Sequence, residues 1–214
     1  MAQGRESYEH DHWSALWASY GTGTFDPESV KIDRQLFADY FHSYVPKMVL
    51  DIGCGSGLST NVFSELGSDR VLMDLTIEAL QLARRNCETK ASKGLDFIRG
   101  DFLHLPFQDQ TFDLVITQDI IKYFRPRTVF PELQRVSKDH ATLTGAFPYL
   151  FSWRMLKNFI VSKAVNGLNR RRVMNLHFFT KRSARQSIER NGFEIRKWIL
   201  IRGRSYLFLF ASKK

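Results

Sequence analysis

The stretch "MVLDIGCGSGLST", residues 48–60, decides how this chain folds. Its first five residues are mostly apolar and predict a short buried β-strand. The strand leads into a turn in which Gly53, Gly55 and Gly57 alternate with other residues. The following "LSTNVFSEL" predicts a helix that ends at Gly67. Glycines spaced in this way allow the backbone to approach a ligand closely, so the turn is a candidate binding site.

The same alternation of strand and helix continues along the chain. Further strands are predicted at 70–74, 95–101, 112–119 and 140–149, and helices are predicted after Thr76 and at 128–137, where Pro131 starts or kinks the helix. This order is typical of a doubly wound parallel sheet with helices on both faces.

The C-terminal part predicts one more helix and two strands. Thr180 can cap the helix, and Gly192 ends it. The strands, 193–202 and 205–212, are joined by a tight turn at Gly203. A connection this short favours an antiparallel pair.

The composition is that of an ordinary globular protein. Hydrophobic residues make up 43% and charged residues 25% of the 214 positions, a length that suits one domain with a sizeable core. We expect neither a transmembrane helix nor a secretory signal, because no apolar run of the required kind occurs. Cys54 and Cys87 form neither a disulfide framework nor a metal-binding spacing. We therefore predict a reducing, cytoplasmic setting.

The glycine turn differs from the common phosphate-binding loops. The dinucleotide fingerprint needs a third glycine where this chain has Leu58, and the lysine of a P-loop is missing as well. Asp51 precedes the turn, and its carboxylate would repel a pyrophosphate group. A carboxylate at this point favours a ligand that carries an ammonium or sulfonium group.

Two further aspartates follow the next two predicted strands. Asp74 lies about twenty residues after the first glycine, the usual distance for a group that holds ribose hydroxyls. Asp101 can accept a hydrogen bond from an exocyclic amine such as that of adenine, and Phe102 can pack on the ring. Together with Asp51, these residues predict a cationic adenosine ligand.

These segments, in this order, resemble the motifs of the class I S-adenosylmethionine-dependent methyltransferases. The motifs are "VLDIGCGSG", "VLMDLT", "IRGDFLHLPF" and "FDLVITQDIIKYF", and the similarity covers residues 45–150. The tail "GFEIRKWILIRGRSYLFLFASKK" resembles the last two strands of that family. The resemblance implies a Rossmann-like seven-stranded sheet with an antiparallel last strand. It also implies S-adenosylmethionine as the cofactor and no metal.

The family pattern also assigns the residues around the cofactor. The glycine turn would line the methionine part, Asp74 would bind the ribose, and the Asp101–Phe102 pair would take the adenine. Cys54 is expected to be a small side chain between two glycines. The full set that the resemblance implies is Asp51, Gly53, Cys54, Gly55, Gly57, Asp74, Leu75, Asp101, Phe102, Gln118 and Tyr20.

The residue that would act as a general base is left open by the sequence. Many family members that methylate small hydroxylated molecules have a histidine after strand four, where this chain has Tyr123. A neutral tyrosine is a poor base at pH 7, because the ordinary pKa of the phenol is about 10. Tyr123 either orients an acceptor or packs, and Asp119 and His177 are the other candidates.

Specificity is expected in two segments outside the predicted core (residues 45–150). The first is an N-terminal helical cap, 1–44, in which Trp13 and Trp17 lie at helical spacing. The second is a basic, lid-like insertion, 151–179, followed by the last helix and two strands, 180–214. Within the insertion, residues 153–172 have an apolar face flanked by basic residues, a pattern typical of a membrane surface, an anionic substrate contact, a lid or a dimer contact.

Three functions remain open at this point. The first is methyl transfer to an oxygen or nitrogen of a small metabolite, either anionic, lipid-linked or from a glycan pathway. The second is RNA methylation, which the basic C-terminal half of the chain favours and the missing Asn-Pro-Pro-Tyr type of signature opposes. The third is a non-catalytic module that binds S-adenosylmethionine. The oligomeric state is not predicted.

Overall fold

The structure, a computed structural model, describes residues 3–19, 27–87, 94–118, 120–148, 180–201 and 206–214. Its helices are α1 (Gln3–Ala18), α2 (Pro27–Tyr40), α3 (Asn61–Glu65), α4 (Ile77–Cys87), α5 (Pro126–Val136) and α6 (Lys181–Arg190). Its strands are β1 (Met48–Ile52), β2 (Asp69–Asp74), β3 (Leu95–Arg99), β4 (Phe112–Thr117), β5 (Ser137–Pro148), β6 (Phe193–Ile201) and β7 (Tyr206–Lys213). Two 3₁₀ turns, Leu58–Thr60 and Ile121–Tyr123, follow β1 and β4.

The seven strands form one sheet in the order β3-β2-β1-β4-β5-β7-β6. The five strands from β3 to β5 are parallel, and β7 runs antiparallel to both β5 and β6. The predicted fold class, including the antiparallel last strand, is confirmed. The strand order reverses at β1, which lies between β2 and β4, and ligands of open α/β sheets bind at such a point.

Helices cover both faces of the sheet. On one face, Leu50 and Ile52 of β1 pack with the apolar sides of α5 and α6. On the other face, Val49 packs with Phe37 of α2 and Phe63, which lies in α3. Both faces of β1 are therefore buried, which explains why four of its five residues are apolar.

Several predicted boundaries differ from the observed ones. The predicted helix 58–66 is a 3₁₀ turn followed by the five-residue helix α3. Helix α5 begins with Pro126 in its first turn, where a missing N–H costs nothing, and it contains Pro131 rather than starting there. The third strand ends at Arg99, so Asp101 lies in the turn that follows.

Helix α6 begins as the sequence predicts. The Thr180 hydroxyl accepts a hydrogen bond from the Ser183 amide, and the Ser183 hydroxyl accepts one from the Thr180 amide. This reciprocal pair satisfies two helix-end donors. The predicted basic, lid-like insertion at 151–179 and the turn at Gly203 lie outside the described residues.

Two features bear on membrane and metal binding. No helix in the described ranges combines the length and apolar character that a membrane span requires. Within those same ranges, no group of three or more histidine, cysteine or acidic side chains is placed to hold a metal ion.

Candidate functional site

The predicted site residues meet at the carboxyl edge of the three strands β2, β1 and β4. Asp51 is the fourth of the five residues of β1, and Asp74 is the last residue of β2. Gln118 directly follows β4. Because β1 pairs in parallel with both neighbours, the three side chains lie at the same edge of the sheet, beside the glycine turn.

The amides of the glycine turn are already used within the protein. Gly53 and Cys54 both donate to the Met73 carbonyl oxygen, at 2.8 and 3.1 Å. The Gly55 amide donates to Asp74 Oδ2 at 3.1 Å, and the Gly57 amide donates to the Cys54 carbonyl oxygen. A phosphate-binding loop needs such amides to be free. The turn is therefore not built to hold a phosphate group.

Close packing explains why two of these positions are glycine. A Cβ atom on Gly55 would lie 2.5 Å from the Trp17 ring, and one on Gly57 would lie 2.7 Å from Cys87 Sγ. Both residues also have positive φ angles, 52° and 71°, which other residues adopt at a cost. The backbone here lies between α1 above and α4 behind.

Asp51 is a buried carboxylate, only 3% exposed. Its Oδ2 accepts a hydrogen bond from the Thr60 hydroxyl at 3.1 Å, and the buried Arg70 guanidinium donates to the Thr60 carbonyl oxygen and to Asn61. Burial raises the pKa of Asp51 to about 7, although Thr60 and Arg70 oppose the shift. A cationic group in the cleft would favour the ionised form.

Asp74 has most of its hydrogen-bonding capacity filled. Oδ1 accepts from the Thr76 amide and the Thr76 hydroxyl, both at 3.0 Å, and Oδ2 accepts from Gly55. A carboxylate offers about four acceptor positions, and the Leu75 amide interacts with Asp74 as well. Burial raises the pKa of Asp74, and the bonds from Thr76, Gly55 and Leu75 oppose that shift. Leu75 makes the smallest of these contributions, so a ribose hydroxyl would bind the carboxylate in its place.

The predicted adenine-binding residues lie around the turn after β3. Asp101 Oδ1 accepts from the Leu103 amide at 3.0 Å, while about 39% of the Asp101 side chain is exposed. The Phe102 ring is only 3% exposed and meets Phe124 edge to face in the core. Any ligand contact of Phe102 would therefore come from its backbone rather than its ring. Leu75 is half-buried beside this turn, and its carbonyl oxygen accepts from Arg99.

Gln118 has a buried side-chain oxygen, Oε1, with no hydrogen-bond partner among the described residues. An unsatisfied buried acceptor costs free energy, and native proteins seldom leave one without a function. The atom lies directly after β4, where the family pattern places a residue near the methionine part of the cofactor. An ammonium group in the cleft would satisfy it.

Helix α1 lies across the carboxyl edge of the sheet. On one side, Ser14 donates to Glu78 of α4 at 2.8 Å, and His10 lies 3.0 Å from Arg99. On the other side, the Trp13 and Tyr123 rings meet edge to face with centroids 5.5 Å apart. Trp17 lies against Gly55, between the polar contacts on one side and the aromatic contact on the other. The aromatic side of α1 thus covers the cleft.

The candidate catalytic residues are only partly described. Tyr123 is half-buried at the rim of the cleft, between Trp13 and the Lys122 ammonium group, which lies 5.1 Å from the Tyr123 ring centroid. Asp119, His177 and Tyr20, and the basic segment 153–172, lie outside the described residues. Their roles stay predictions.

Local sequence patterns do not reveal the residues that support the two carboxylates. Thr60 and Arg70 support Asp51 from the turn before α3 and from β2, and nothing in the sequence distinguishes them from ordinary surface residues. The sequence assigns Thr76 only a helix-capping role, yet its hydroxyl also donates to Asp74. A threonine two residues after an acidic strand end is a usable signal, because its amide and hydroxyl can both reach that carboxylate.

Comparison with known proteins supports the fold and the kind of domain that the sequence resembles. A family model described as a methyltransferase domain matches residues 50–144, the segment that contains the glycine turn and both buried carboxylates. This match covers slightly less than half of the chain. A demethylmenaquinone methyltransferase from Paenarthrobacter aurescens is 31% identical over 127 residues, 58% of this chain and 48% of that protein. A malonyl-[acyl-carrier protein] O-methyltransferase from Herminiimonas arsenicoxydans is 34% identical over 92 residues, 42% of this chain and 33% of that protein.

Solved structures extend the similarity of this methyltransferase fold to nearly the whole chain. A magnesium protoporphyrin IX methyltransferase from Synechocystis PCC 6803 with bound SAH (S-adenosylhomocysteine) has a TM-score of 0.71 and 18% identity, covering 98% of this chain and 99% of that chain. A protein from Pyrococcus horikoshii OT3 has a TM-score of 0.73 and 22% identity, covering 95% of this chain and 99% of that chain. By contrast, this chain spans about half the length or less of the Paenarthrobacter and Herminiimonas relatives.

The sequence resemblance implies S-adenosylmethionine as the cofactor, and the residues at this edge of the sheet fit it. The unpartnered Gln118 oxygen and the buried Asp51 carboxylate suit an ammonium group. The Asp74 carboxylate suits a ribose hydroxyl, and the exposed part of Asp101 suits an amine donor. Gly55 and Gly57 carry no side chains, so the turn can lie directly against Trp17 and Cys87.

The position of Trp17 gives a direct test of the cover formed by α1. Because the indole lies against Gly55, binding of SAH in the methyltransferase cleft is expected to change Trp17 fluorescence. The Trp17→Phe variant should lose most of the change that the wild type shows on titration with SAH. Trp198→Phe, in the distant strand β6, is the control and should keep it. An unchanged signal in Trp17→Phe would show that Trp17 does not lie against the cofactor.

Proposed function

We propose that the protein transfers the methyl group of S-adenosylmethionine to an oxygen or nitrogen atom of a small-molecule acceptor. The observation that carries the proposal is the pair of buried carboxylates, Asp51 and Asp74, beside a turn whose amides are internally satisfied. This arrangement accepts an adenosine ligand with a cationic end and disfavours a phosphate. The relatives named for demethylmenaquinone and for malonyl-[acyl-carrier protein] support a small acceptor.

When bound, S-adenosylmethionine supplies an electrophilic methyl group on a sulfonium centre. Asp51 and Gln118 would hold the amino end, and Asp74 would hold the ribose, so that the donor is fixed in one orientation. Positioning of this kind supplies much of the rate in a bimolecular displacement. Trp13 and Trp17 would exclude water from the cleft. Tyr123, at the rim, would orient the acceptor through its hydroxyl.

The test has two steps. Isothermal titration calorimetry with SAH should show one saturable site per chain. The protein should then transfer radiolabelled methyl from S-adenosylmethionine to at least one acceptor in a panel of quinols, thioester-linked carboxylates and small amines. No SAH binding at millimolar concentration would overturn the proposal. Labelling of RNA alone would favour RNA methylation, and binding without any transfer would favour a non-catalytic module.

The pKa of Asp51 predicts a pH dependence of cofactor binding. Burial raises this pKa to about 7, so the group is mostly protonated at pH 6 and mostly ionised at pH 8. A cationic ligand favours the ionised form, and we expect S-adenosylmethionine to bind about tenfold more tightly at pH 8 than at pH 6. Without ligand, a rise in pH has the opposite effect, because it lowers the stability of the protein. Since folding raises the pKa of Asp51, the folded state loses stability as the pH rises from about 4 to about 7.

Calorimetry in two buffers of different ionisation enthalpy measures this effect. The wild type should release about half a proton from Asp51 on binding near pH 7, apart from any proton that the ligand itself exchanges. Asp51→Asn removes the titrating group, keeps the side-chain shape and should show the ligand's release alone. An equal proton release in the two proteins would contradict the assignment of Asp51.

A further inference from the structure

A second concave surface lies away from the cofactor cleft. It is a groove of about 460 Å³ between the first turn of α5 and the exposed side of α6. None of the residues assigned to the cofactor lines it. The residues that matter to its chemistry are Arg125, Arg127, Arg190, Ser183, Ser187 and Asn191.

The groove contains three arginines and no acidic residue. In the part of the chain that the structure describes, Arg125, Arg127 and Arg190 form no ion pair, and all three are exposed. Other arginines of the protein do form ion pairs, among them Arg135 with Glu132 at 2.7 Å and Arg196 with Glu194 at 3.0 Å. Three like charges on one concave surface repel one another unless an anion lies between them.

The walls of the groove are held in place by local hydrogen bonds. Ser183 belongs to the capping pair of α6, and the Asn191 side-chain amide donates to the Ser187 carbonyl oxygen at 2.6 Å. The Ser187 hydroxyl forms no hydrogen bond within the described ranges. At the opposite wall, Arg125 precedes α5 without any side-chain cap on the helix end. The guanidinium groups and this hydroxyl are therefore available donors on a fixed frame.

This donor set selects the class of ligand. Guanidinium groups donate in planar pairs that match phosphate oxygens, and they do so more strongly than neutral donors. A volume of about 460 Å³ lies within the range of small-molecule sites and is small for a macromolecular surface. The flanking residues Lys181, Arg182 and Arg185 lie on the same helix but outside the groove.

We infer that the groove between α5 and α6 binds a phosphate group of a small molecule. The site is separate from the cofactor cleft, so the inference does not depend on the proposed methyl transfer. It lies near the acceptor side of the cleft, because Arg125 is only two residues after Tyr123 and their Cα atoms are at most about 7.6 Å apart.

Calorimetry with inorganic pyrophosphate tests the site. The groove variant is Arg125→Gln/Arg127→Gln/Arg190→Gln. The control variant is Lys181→Gln/Arg182→Gln/Arg185→Gln, which removes the same number of positive charges, all of them from α6. At about 0.15 M ionic strength, where long-range attraction is screened, we expect the groove variant to bind pyrophosphate at least tenfold more weakly and the control variant to change by less than twofold.

Three results would overturn the inference: no pyrophosphate binding by the wild type, equal losses in the two variants, or a loss in the control variant alone. Titration with SAH separates this result from the proposed function, because both variants should keep wild-type SAH affinity if they are folded. A wild type that binds pyrophosphate but not SAH would contradict the proposed function and leave the phosphate site standing.

The source of the phosphate is distinguished by vesicles and RNA. In one outcome, the wild type and the control variant co-sediment with phosphatidylglycerol vesicles, the groove variant does not, and pyrophosphate prevents the binding. This outcome would assign the phosphate to a lipid headgroup. Persistence of pyrophosphate binding without vesicle binding would assign it to a soluble ligand. In another outcome, the wild type binds RNA, both variants bind RNA equally weakly, and pyrophosphate does not compete with RNA. The basic surface is then a nucleic-acid contact, and the inference is wrong.

Discussion

Replacement of Asp74 by asparagine is expected to weaken SAH binding about 10- to 150-fold. The carboxylate accepts from Gly55 on one oxygen and from Thr76 on the other, and we assign it a ribose hydroxyl of the ligand as well. An asparagine amide must turn its NH₂ group toward one of these donors, which costs stability in the free and the bound protein alike. The loss of affinity therefore reflects the ribose bond alone, and a hydrogen bond to a charged group contributes about 1.5–3 kcal/mol.

Calorimetry with SAH measures this effect, and Asp69→Asn is the matched control. Asp69 begins the same strand, at the opposite edge of the sheet, and its side chain is exposed. The control variant should bind SAH with wild-type affinity. Thermal unfolding without ligand should show that Asp74→Asn remains folded. A folded Asp74→Asn protein that binds SAH within threefold of the wild type would show that Asp74 does not hold the ribose.

The sheet and the position of the two buried carboxylates can be predicted from the sequence. Strand β1 is largely apolar on both faces because helices cover both sides, and that pattern is visible in the sequence. In a parallel sheet the carboxyl ends of neighbouring strands lie at one edge, so the strand pattern alone places Asp51 and Asp74 together. The antiparallel β7 follows from the family resemblance and from a short connection.

The features that the sequence does not predict depend on contacts between distant parts of the chain. The Phe102 ring packs against Phe124 in the core, and nothing near Phe102 in the sequence predicts that contact. Arg70 is buried because Thr60 and Asn61 accept its hydrogen bonds. The segment after the glycines forms a 3₁₀ turn before α3, a distortion that helix propensity does not predict.

The sequence predicts the cover over the cleft only in outline. The spacing of Trp13 and Trp17 indicates an aromatic helix side, and that side faces the cleft in the structure. The polar contacts that hold α1 in place, Ser14 with Glu78 and His10 with Arg99, join residues that are 64 and 89 positions apart. Such pairs carry no local signal, because each residue is an ordinary polar residue in its own segment.

Replacement of Gly57 by alanine is expected to destabilise the protein by about 2–5 kcal/mol, the sum of a steric and a backbone cost. The new Cβ atom would lie 2.7 Å from Cys87 Sγ and 2.9 Å from Leu72 Cδ2, both in a packed core. Overpacking of this kind costs about 1–3 kcal/mol, and the positive φ of 71° adds about 1–2 kcal/mol for a residue with a Cβ atom. The backbone cannot move away easily, because the Gly57 amide donates to Cys54 and its carbonyl oxygen accepts from Thr60 and Cys87.

Gly67→Ala separates the two contributions to the Gly57 effect. Gly67 also has a positive φ, 83°, yet nothing lies within 4 Å of the position that a Cβ atom would take, so this variant should lose only about 1–2 kcal/mol. Urea unfolding of both variants gives the comparison, and the difference isolates the steric cost at Gly57. SAH binding should weaken at least about tenfold in Gly57→Ala and stay unchanged in Gly67→Ala, because only the first glycine belongs to the turn assigned to the cofactor. Equal losses of stability and equal affinities would show that backbone angle alone, rather than close packing between the turn and α4, requires glycine at position 57.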